Sequence, residues 1–294
     1  MKILITGAAG QLGHELCRQL ERGGSALGAI PERLQHAKVI AVDIEEADIT
    51  SRTETAALIR HHAPDAVISC AAFTNVDAAE AERDTAFRVN ALGPRNLAIA
   101  CEEVGAKLLH LSTDYVFSGT GKEPYSETDL PAPASAYGTT KLLGEAYVRD
   151  FCSRWFVVRT SWLYGRTGAN FVKTILKLAA EQPEVKVVHD QRGNPTNAED
   201  VAHHLLQLVP TKEYGLYHCT GAGVCSWFEF AQQIVRLAGL KAKVIPCTTE
   251  EFPRPAPRPA NSALEHRMLR ATIGDHMRPW QDALAHYMKE REDA

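Results

Sequence analysis

The sequence predicts an α/β fold, with a doubly wound parallel sheet and a smaller, discontinuous α/β domain. Short apolar runs alternate with helical patterns through the first half of the 294 residues, as is typical of βαβ units. A glycine-rich turn joins the first apolar run to the first helical pattern. We predict a first domain over residues 1–160, with a further strand and helix from about 185–209, and a second domain mainly over 161–294.

The composition excludes several classes of protein. Hydrophobic residues make up 45% of the chain and charged residues 23%, with a net charge of −4, as in ordinary globular proteins. We expect neither a nucleic-acid nor a membrane partner, because there is no long basic run and no apolar run near ~18 residues. Seven cysteines without a C-x-x-C pair indicate free thiols and a cytoplasmic protein. The pairs His61–His62 and His203–His204 are expected at the surface or at a boundary, not as metal ligands.

The first strand, turn and helix predict a nucleotide site. An apolar run over residues 2–6 is followed by Gly7, Gly10 and Gly13 and then by a helical pattern. Glycines let the backbone approach a pyrophosphate, whose charge is stabilised at a helix N-terminus. This context is typical of a Rossmann-type sheet and favours a dinucleotide-binding turn over a plain structural turn.

The second predicted strand, over residues 38–43, is expected to be buried and ends in Asp43, after a loop over 23–37. An acid at this place binds the adenosine ribose hydroxyls, although it also suits a simple strand cap. No Lys or Arg lies between Asp43 and Thr50 to pair with a 2′-phosphate, so NADH is at least as suitable as NADPH. Asp48 and Ile49 follow in a position to line the adenine.

Two further strands, over residues 66–70 and 107–111, deliver small and polar side chains to the same edge of the sheet. Ala71 and Ala72 follow the first of these strands and allow a cofactor to approach closely. Ser112 and Thr113 follow the second, and ligands of open parallel sheets bind beyond the carboxyl ends of the strands. Asn90 lies in a predicted helix, where the default expectation is a surface position.

Tyr137 and Lys141 are four residues apart, so on a helix they share one face. A neighbouring ammonium stabilises a phenolate and would lower the pKa of Tyr137 from its free value near ~10. The pair therefore suits a proton donor that works near neutral pH. By itself the spacing also fits an exposed helix face, but the motifs upstream favour catalysis.

The second half predicts a ligand pocket. A strand over residues 155–160 leads to Trp162, whose ring suits stacking on a sugar or base as well as ordinary core packing. Helical patterns cover residues 170–180, 197–208, 227–237 and 280–291, and short strands are predicted over 185–188 and 216–219. Alternating prolines over 252–259 favour an extended segment.

These features together resemble the extended short-chain dehydrogenase/reductase superfamily. The finer resemblance is to the dTDP-4-dehydrorhamnose reductase family, and it runs nearly from end to end. The stretches that carry it are GQLG at 10–13, STDYVF at 112–117, YGTTK at 137–141, RTSWLY at 159–164, DQRGNPT at 190–196 and RPANS at 258–262.

The resemblance implies NAD(P)H-dependent reduction of the 4-keto group of dTDP-4-dehydro-L-rhamnose, giving dTDP-L-rhamnose for cell-surface polysaccharides. It implies Tyr137 as the proton donor, Lys141 as its partner and holder of the nicotinamide ribose, and Thr113 as a hydrogen-bond donor to the reacting oxygen. Cofactor contacts are implied for Gly7, Gly10, Gln11, Leu12, Gly13, Asp43, Asp48, Ile49, Ala71, Ala72, Phe73, Tyr137 and Lys141. Substrate contacts are implied for Thr113, Asp114, Trp162 and Arg258, whose guanidinium suits the substrate diphosphate.

Alternative functions remain open at this point. Nucleotide-sugar 4,6-dehydratases need an Asp-Glu pair after the Thr, and here Asp114 is followed by Tyr115, which favours simple reduction. A reductase of a related 4-keto deoxysugar nucleotide would have nearly the same sequence. A non-catalytic NADP-binding regulatory subunit, similar to that of methionine adenosyltransferase, would keep the glycine turn. The complete Thr113, Tyr137 and Lys141 set, and the absence of a long N-terminal extension, favour an enzyme.

The resemblance also implies a possible metal site and a possible homodimer. Some family members bind Mg²⁺ at a homodimer contact through a glutamate of the first helix. Glu15 matches that position and Glu199 matches a second, although an acid on a solvated helix is the commoner explanation.

Overall fold

The computed structural model describes residues 1–292, and residues 293–294 of the predicted second domain lie outside that range. The strands are β1 (Lys2–Thr6), β2 (Gly24–Ser25), β3 (Gly28–Ala29), β4 (Lys38–Val42), β5 (Ala66–Ser69), β6 (Lys107–Thr113), β7 (Trp155–Thr160), β8 (Leu163–Tyr164), β9 (Glu184–Val188), β10 (Arg192–Gly193), β11 (Thr196–Asn197), β12 (Gly215–His218), β13 (Cys225–Ser226) and β14 (Lys243–Cys247). The α-helices are α1 (Gln11–Arg22), α2 (Arg52–His62), α3 (Ala78–Ala81), α4 (Arg83–Phe87), α5 (Gly93–Val104), α6 (Ala136–Phe151), α7 (Phe171–Glu181), α8 (Ala198–Leu208), α9 (Trp227–Leu237), α10 (Arg267–Thr272) and α11 (Trp280–Glu292). A π-helical turn (Arg88–Leu92) joins α4 to α5, and 3₁₀ turns lie at Glu32–Leu34 and Asp114–Val116.

Six parallel strands form the central sheet in the order β12-β7-β6-β5-β1-β4. The chain passes from β1 to β4 on one side and then to β5 on the other side. The switch opens a crevice at the carboxyl ends of β1 and β5, where doubly wound sheets bind their ligands. The predicted doubly wound α/β fold is confirmed.

The central strands are apolar on both faces because helices cover both faces. In β1, Ile3 and Ile5 pack into one cluster with Leu16 of α1, whereas Leu4 packs into the cluster on the opposite face. The position of β4 differs from the prediction of a buried strand. It forms the edge of the sheet, and within it only Val42 is fully buried.

A smaller α/β unit lies outside the central sheet. Strands β9 and β14 pair in parallel, and a separate apolar cluster joins β9 to α7, α9 and α11. The strand expected near residue 185 therefore pairs with β14, and β12 takes the sixth place in the central sheet. Helix α8 packs on α1, where Gln19 Nε2 donates to Glu199 O at 2.8 Å.

Two local features differ from the sequence expectations. The loop over residues 23–37 contains the hairpin β2–β3 and a 3₁₀ turn. His203 and His204 are buried, not at the surface, because α8 is covered by the hairpin and by the segment before α11; Ser25 Oγ lies 3.0 Å from His203 Nδ1. The seven cysteines are free, as predicted. Within residues 1–292, no helix is both long and apolar enough to cross a membrane.

Candidate active site

A cavity of about 850 Å³ opens at the carboxyl ends of β1, β5, β6 and β7. It brings together residues that are far apart in the sequence. The predicted site residues that line it are Gly7, Gly10, Gln11, Leu12, Gly13, Asp43, Asp48, Ile49, Ala71, Ala72, Thr113, Asp114, Tyr137, Lys141 and Trp162.

The turn between β1 and α1 forms one end of the cavity. Gly7 has a φ of +65°, and a Cβ at Gly13 would lie 2.2 Å from Gly7 O, so both positions require glycine. Gly10 is the N-cap of α1 and has no side chain to accept hydrogen bonds from the first turn. These N–H groups at the start of a 12-residue helix fit an anionic diphosphate.

The carboxylates after β4 hold the next wall of the cavity in place. Asp43 Oδ2 accepts a hydrogen bond from Ala9 N at 3.0 Å, and Asp43 Oδ1 accepts one from Ile44 N at 2.9 Å. Asp43 therefore ties the end of β4 to the glycine turn. Asp48 accepts from both the backbone N–H and the hydroxyl of Thr50 at 2.8 Å.

Asn90 fixes the loop after β5 from within the π-helical turn. It is 1% exposed, so the default expectation of a surface position is wrong. Its amide accepts from Phe73 N at 2.8 Å and donates to Phe73 O at 3.0 Å. These bonds hold the backbone beside Ala71 and Ala72, which line the cavity; within the described range, Phe73 is not part of the lining.

Tyr137 and Lys141 lie one turn apart near the start of α6. Ser135 is the N-cap of this helix, and its hydroxyl accepts from Gly138 N at 3.1 Å. A Cβ at Gly138 would lie 2.1 Å from Tyr115 O, so only glycine lets α6 approach the turn after β6 this closely. The close approach brings Tyr137 and Thr113 to the same cavity wall.

Burial controls the protonation of this pair. Lys141 is 3% exposed, and its Nζ donates to Leu111 O at 2.5 Å. Burial lowers the pKa of Lys141 to about 8, with Glu145 acting in the opposite direction. Burial raises the pKa of Tyr137 to about 12, so the expectation that Lys141 lowers the pKa of this phenol is wrong. The ammonium is committed to a backbone carbonyl, and desolvation dominates.

Asp114 brings an unusual carboxyl group to the cavity. It is 2% exposed, and Oδ1 accepts from the Thr113 hydroxyl at 3.0 Å. Oδ2 is buried without a hydrogen-bond partner among the described residues. Burial raises the pKa of Asp114 to about 6, and the hydroxyls of Ser262 and Thr113 act in the opposite direction. Asp114 therefore lines the cavity with a carboxyl group whose hydrogen-bonding capacity is only partly used.

Two stacked indoles form another part of the cavity wall. Trp162 has a φ of +46°, and its ring centroid lies 3.5 Å from that of Trp227 with 5° between the planes. Both rings line the cavity. Trp227 was not predicted as a site residue, because a Trp at the start of a helix carries no functional signal until the fold stacks its ring on Trp162.

Arg258 lies beside the cavity, outside its lining as far as the described residues show. Its Nη2 pairs with Asp77 Oδ1 at 2.8 Å, and Ala256 N donates to the same oxygen at 3.2 Å. A small neighbouring pocket contains both Arg258 and Tyr115. The proline-rich segment is thus held against the start of α3.

The two acids suggested for Mg²⁺ accept hydrogen bonds from side chains of the protein itself. Glu15 is 3% exposed, so it is not an acid on a solvated helix. Arg18 Nε donates to Glu15 at 2.8 Å and Gln19 Nε2 donates at 2.9 Å. Glu199 accepts from Arg18 at 3.1 Å and from Arg278 at 3.2 Å. Within the described residues, Glu199, His286 and Glu290 each offer a ligand atom within 4.8 Å of the others, so Glu199 belongs to a group that could hold a metal ion. Mg²⁺ at Glu15 and Glu199 stays a prediction.

Comparison with known proteins adds to this geometry. The family described as RmlD substrate binding domain matches residues 1–292. The chain belongs to this family. One relative is the spore coat polysaccharide biosynthesis protein SpsK of Bacillus subtilis, 41% identical over 293 residues, covering 100% of this chain and 99% of the relative.

Solved structures from the family superpose closely on this chain. A dTDP-4-dehydrorhamnose reductase from Clostridium acetobutylicum has a TM-score of 0.94 at 46% identity, covering 99% of this chain and 100% of that chain. The reductase of the same name from Bacillus anthracis, in complex with NADP, has a TM-score of 0.92 at 42% identity, covering 98% and 99%.

Proposed function

We propose that this protein is an NAD(P)H-dependent oxidoreductase that converts dTDP-4-dehydro-L-rhamnose to dTDP-L-rhamnose. The observation that carries the proposal is the convergence of Thr113, Tyr137 and Lys141 with the glycine turn on one cavity. Family membership supports it, because relatives identical at 36–46% over nearly the whole chain are named dTDP-4-dehydrorhamnose reductase. The intact set of three polar residues argues against a non-catalytic regulatory subunit.

The glycine turn and Asp43 are the proposed cofactor contacts. The N–H groups at the start of α1 bind the diphosphate, and Asp43 binds the adenosine ribose. Ala71 and Ala72 leave room for the cofactor beside β5, and Lys141 holds the nicotinamide ribose. Bound there, the reduced nicotinamide supplies a hydride to the keto carbon.

Tyr137 is the proposed general acid. With a pKa of about 12, its phenol is protonated at physiological pH and can donate a proton to the ketone oxygen. The Thr113 hydroxyl donates a second hydrogen bond to that oxygen, exchanging Asp114 for the substrate as its acceptor. Tyr115 stands where a dehydratase would need a second acid. These residues thus supply one proton and no second acid–base pair.

We propose that residues 161–294 mainly bind the sugar nucleotide and residues 1–160 the cofactor. Trp162 and Trp227 give the sugar or base a flat apolar surface. Asp114 Oδ2 accepts a hydrogen bond from a sugar hydroxyl. Arg258 reaches the substrate diphosphate by leaving Asp77. The seven free cysteines support a cytoplasmic location.

The test is a reduction assay with purified protein and dTDP-4-dehydro-L-rhamnose. Loss of dihydronicotinamide absorbance is followed with NADH and NADPH in parallel, and the sugar product is identified by nuclear magnetic resonance. We expect turnover, with kcat/KM for NADH at least equal to that for NADPH. Failure to oxidise either cofactor would defeat the proposal. A higher kcat/KM with an epimeric 4-keto deoxysugar nucleotide would reassign the substrate.

A further inference from the structure

A buried ion pair lies directly beneath the proposed catalytic residues. Glu145 of α6 is 1% exposed and stands one helical turn after Lys141, and Arg159 of β7 is 2% exposed. Arg159 Nε donates to Glu145 Oε1 at 2.8 Å, and Nη2 donates to Oε2 at 2.7 Å. This bidentate geometry fixes the carboxylate in the interior.

The same carboxylate also holds the end of β6. Ser112 Oγ donates to Glu145 Oε1 at 2.5 Å. Ser112 precedes Thr113 and follows Leu111, whose carbonyl accepts the hydrogen bond from Lys141. One side chain therefore connects the helix with Tyr137 and Lys141 to the strand with Thr113.

Arg159 is itself held on its other side. Its guanidinium carbon lies 5.0 Å from the centroid of the Phe117 ring, and Nη1 lies 3.4 Å from His218 Nε2. Nδ1 of His218 faces the backbone carbonyls of Tyr125 and Glu265 at 3.2 and 3.1 Å. Burial lowers the pKa of His218 to about 3, so this ring is neutral and accepts from Arg159.

The groups around Lys141 leave Glu145 as its counter-charge. Cys70 faces Lys141 from the end of β5, and burial raises the pKa of this thiol to about 12. His110 of β6 has a pKa well below its ordinary value, also because of burial. Tyr137 is protonated at neutral pH, so these three neighbours carry no charge. Glu145 acts to raise the pKa of Lys141 against the effect of burial.

Stability alone does not account for the pair. A buried ion pair is expensive to desolvate, and apolar residues of similar volume often stabilise a fold as well or better. The place of this pair, one turn from Lys141 and one residue from Thr113, suggests a function.

We propose that Glu145, clamped by Arg159, is a positioning residue of the ketone reduction proposed above. It fixes Lys141 and Thr113 relative to each other, and its negative charge keeps the Lys141 ammonium protonated inside the fold. The proposal rests on the proposed function for the reaction, and it makes a statement about Lys141 that can be measured without the sugar.

The test compares Glu145→Gln with wild type across pH. We expect kcat/KM for the reduced cofactor in the wild type to fall as the pH rises through the pKa of Lys141. We call this fall the alkaline limb of the pH profile. In Glu145→Gln the midpoint of the alkaline limb moves to a lower pH by about one unit or more, because the ammonium of Lys141 has lost its counter-charge. Glu145→Asp keeps the charge, so its limb stays at the wild-type position while kcat falls.

A control separates this effect from a general loss of stability. Asp200→Asn breaks another buried carboxylate–arginine pair, with Arg278, away from the cavity lining. It is expected to lower the melting temperature and leave the alkaline limb in place. An unmoved limb in Glu145→Gln, or an equal shift in Asp200→Asn, would overturn the proposal.

Two further measurements cover the remaining outcomes. If Glu145→Gln does not fold, the double variant Glu145→Gln/Arg159→Met removes both charges of the pair, so that Arg159 is not left without a partner. Lys141 still loses its counter-charge in this variant, and a lowered limb is again expected. The affinity of the protein for the reduced cofactor is measured across pH from the fluorescence of the cofactor. This measurement reports on the protonation of Lys141 and needs no sugar. A protein that fails to reduce the sugar can therefore still confirm or refute the role of Glu145.

Discussion

Burial keeps the phenol of Tyr137 protonated, which suits an acid and not a base. We expect Tyr137→Phe to lose 10²- to 10⁴-fold in kcat, roughly the range for removing a general acid, with little change in cofactor affinity. The same helix offers a control, because Tyr147 packs on Phe151 at 6.2 Å between centroids, away from the cavity lining. Tyr147→Phe should keep its turnover. Near-normal kcat in Tyr137→Phe would contradict the assignment.

Asp114 makes a prediction about stability and pH. Its pKa is about 6 in the folded protein, above the unfolded value near 3.9, so its ionisation opposes folding. Its contribution to stability is present at low pH and is lost as the pH rises through about 6. Asp114→Asn removes this dependence, so its gain in unfolding free energy over wild type should grow by on the order of 2 kcal/mol between about pH 4 and 7.

Urea denaturation of both proteins at several pH values measures this difference. A gain that does not change with pH would show that Asp114 is not the titrating group. The variant should also bind the sugar nucleotide less tightly, since a neutral amide replaces the carboxylate.

The relative positions of single residues were predictable from the sequence where both residues lie on the same helix. The four-residue spacing of Tyr137 and Lys141 places both on one helix face, and the same spacing extends to Glu145. The partner of Glu145 was not predictable, because Arg159 meets it only after β7 pairs with β6. Asn90 was missed for the same reason, since its partner lies on a loop 17 residues away.

At the scale of elements, glycine has two roles in the turn between β1 and α1. Gly13 allows close packing of the backbone, and Gly10 leaves room for the proposed diphosphate. Gly13→Ala should lower the melting temperature and cofactor affinity together, because its Cβ would lie 2.2 Å from Gly7 O. Gly10→Ala has more room, with Gly7 O at 3.2 Å, and its backbone is not left-handed. It should lower the melting temperature less than Gly13→Ala does, and it should lose cofactor affinity because the methyl group occupies the proposed diphosphate position.

Calorimetry and cofactor titration of the two variants provide the measurement. Equal cofactor affinity in Gly10→Ala and wild type would place the diphosphate elsewhere.

The strands and helices were predictable where apolar periods are uninterrupted. The apolar runs at β1, β5, β6 and β7 predict strands that the structure confirms. The edge position of β4 and the pairing of β9 with β14 were not predictable, because an apolar run gives no information about which strands lie beside it. The order of strands depends on contacts between distant segments.

At the scale of the whole molecule, buried charges join the C-terminal segment to α8. Arg278 Nε donates to both oxygens of Asp200 at 3.1 and 3.0 Å, and Asp200 is completely buried. Arg278→Met leaves this carboxylate unpaired and should cost about 3–5 kcal/mol of unfolding free energy. Arg60→Met breaks an exposed pair with Glu103 and should cost at most about 1 kcal/mol.

Chemical denaturation of the two variants makes the comparison. Equal losses would show that the Arg278 contact adds nothing beyond a surface ion pair. The predicted division near residue 160, with a strand and helix from about 185–209 returning to the first domain, remains a prediction.

The stacked pair of Trp162 and Trp227 has an optical consequence. Two parallel indoles at van der Waals distance couple their electronic transitions, so they should give a circular dichroism signal that a lone tryptophan lacks. The pair borders the cavity, and its emission overlaps the absorption of a dihydronicotinamide. Entry of either ligand would therefore change the light that the protein absorbs and emits, and Trp227→Phe would remove the signal. The optical signal of these two tryptophans would thus report whether the cavity is occupied, without any added label.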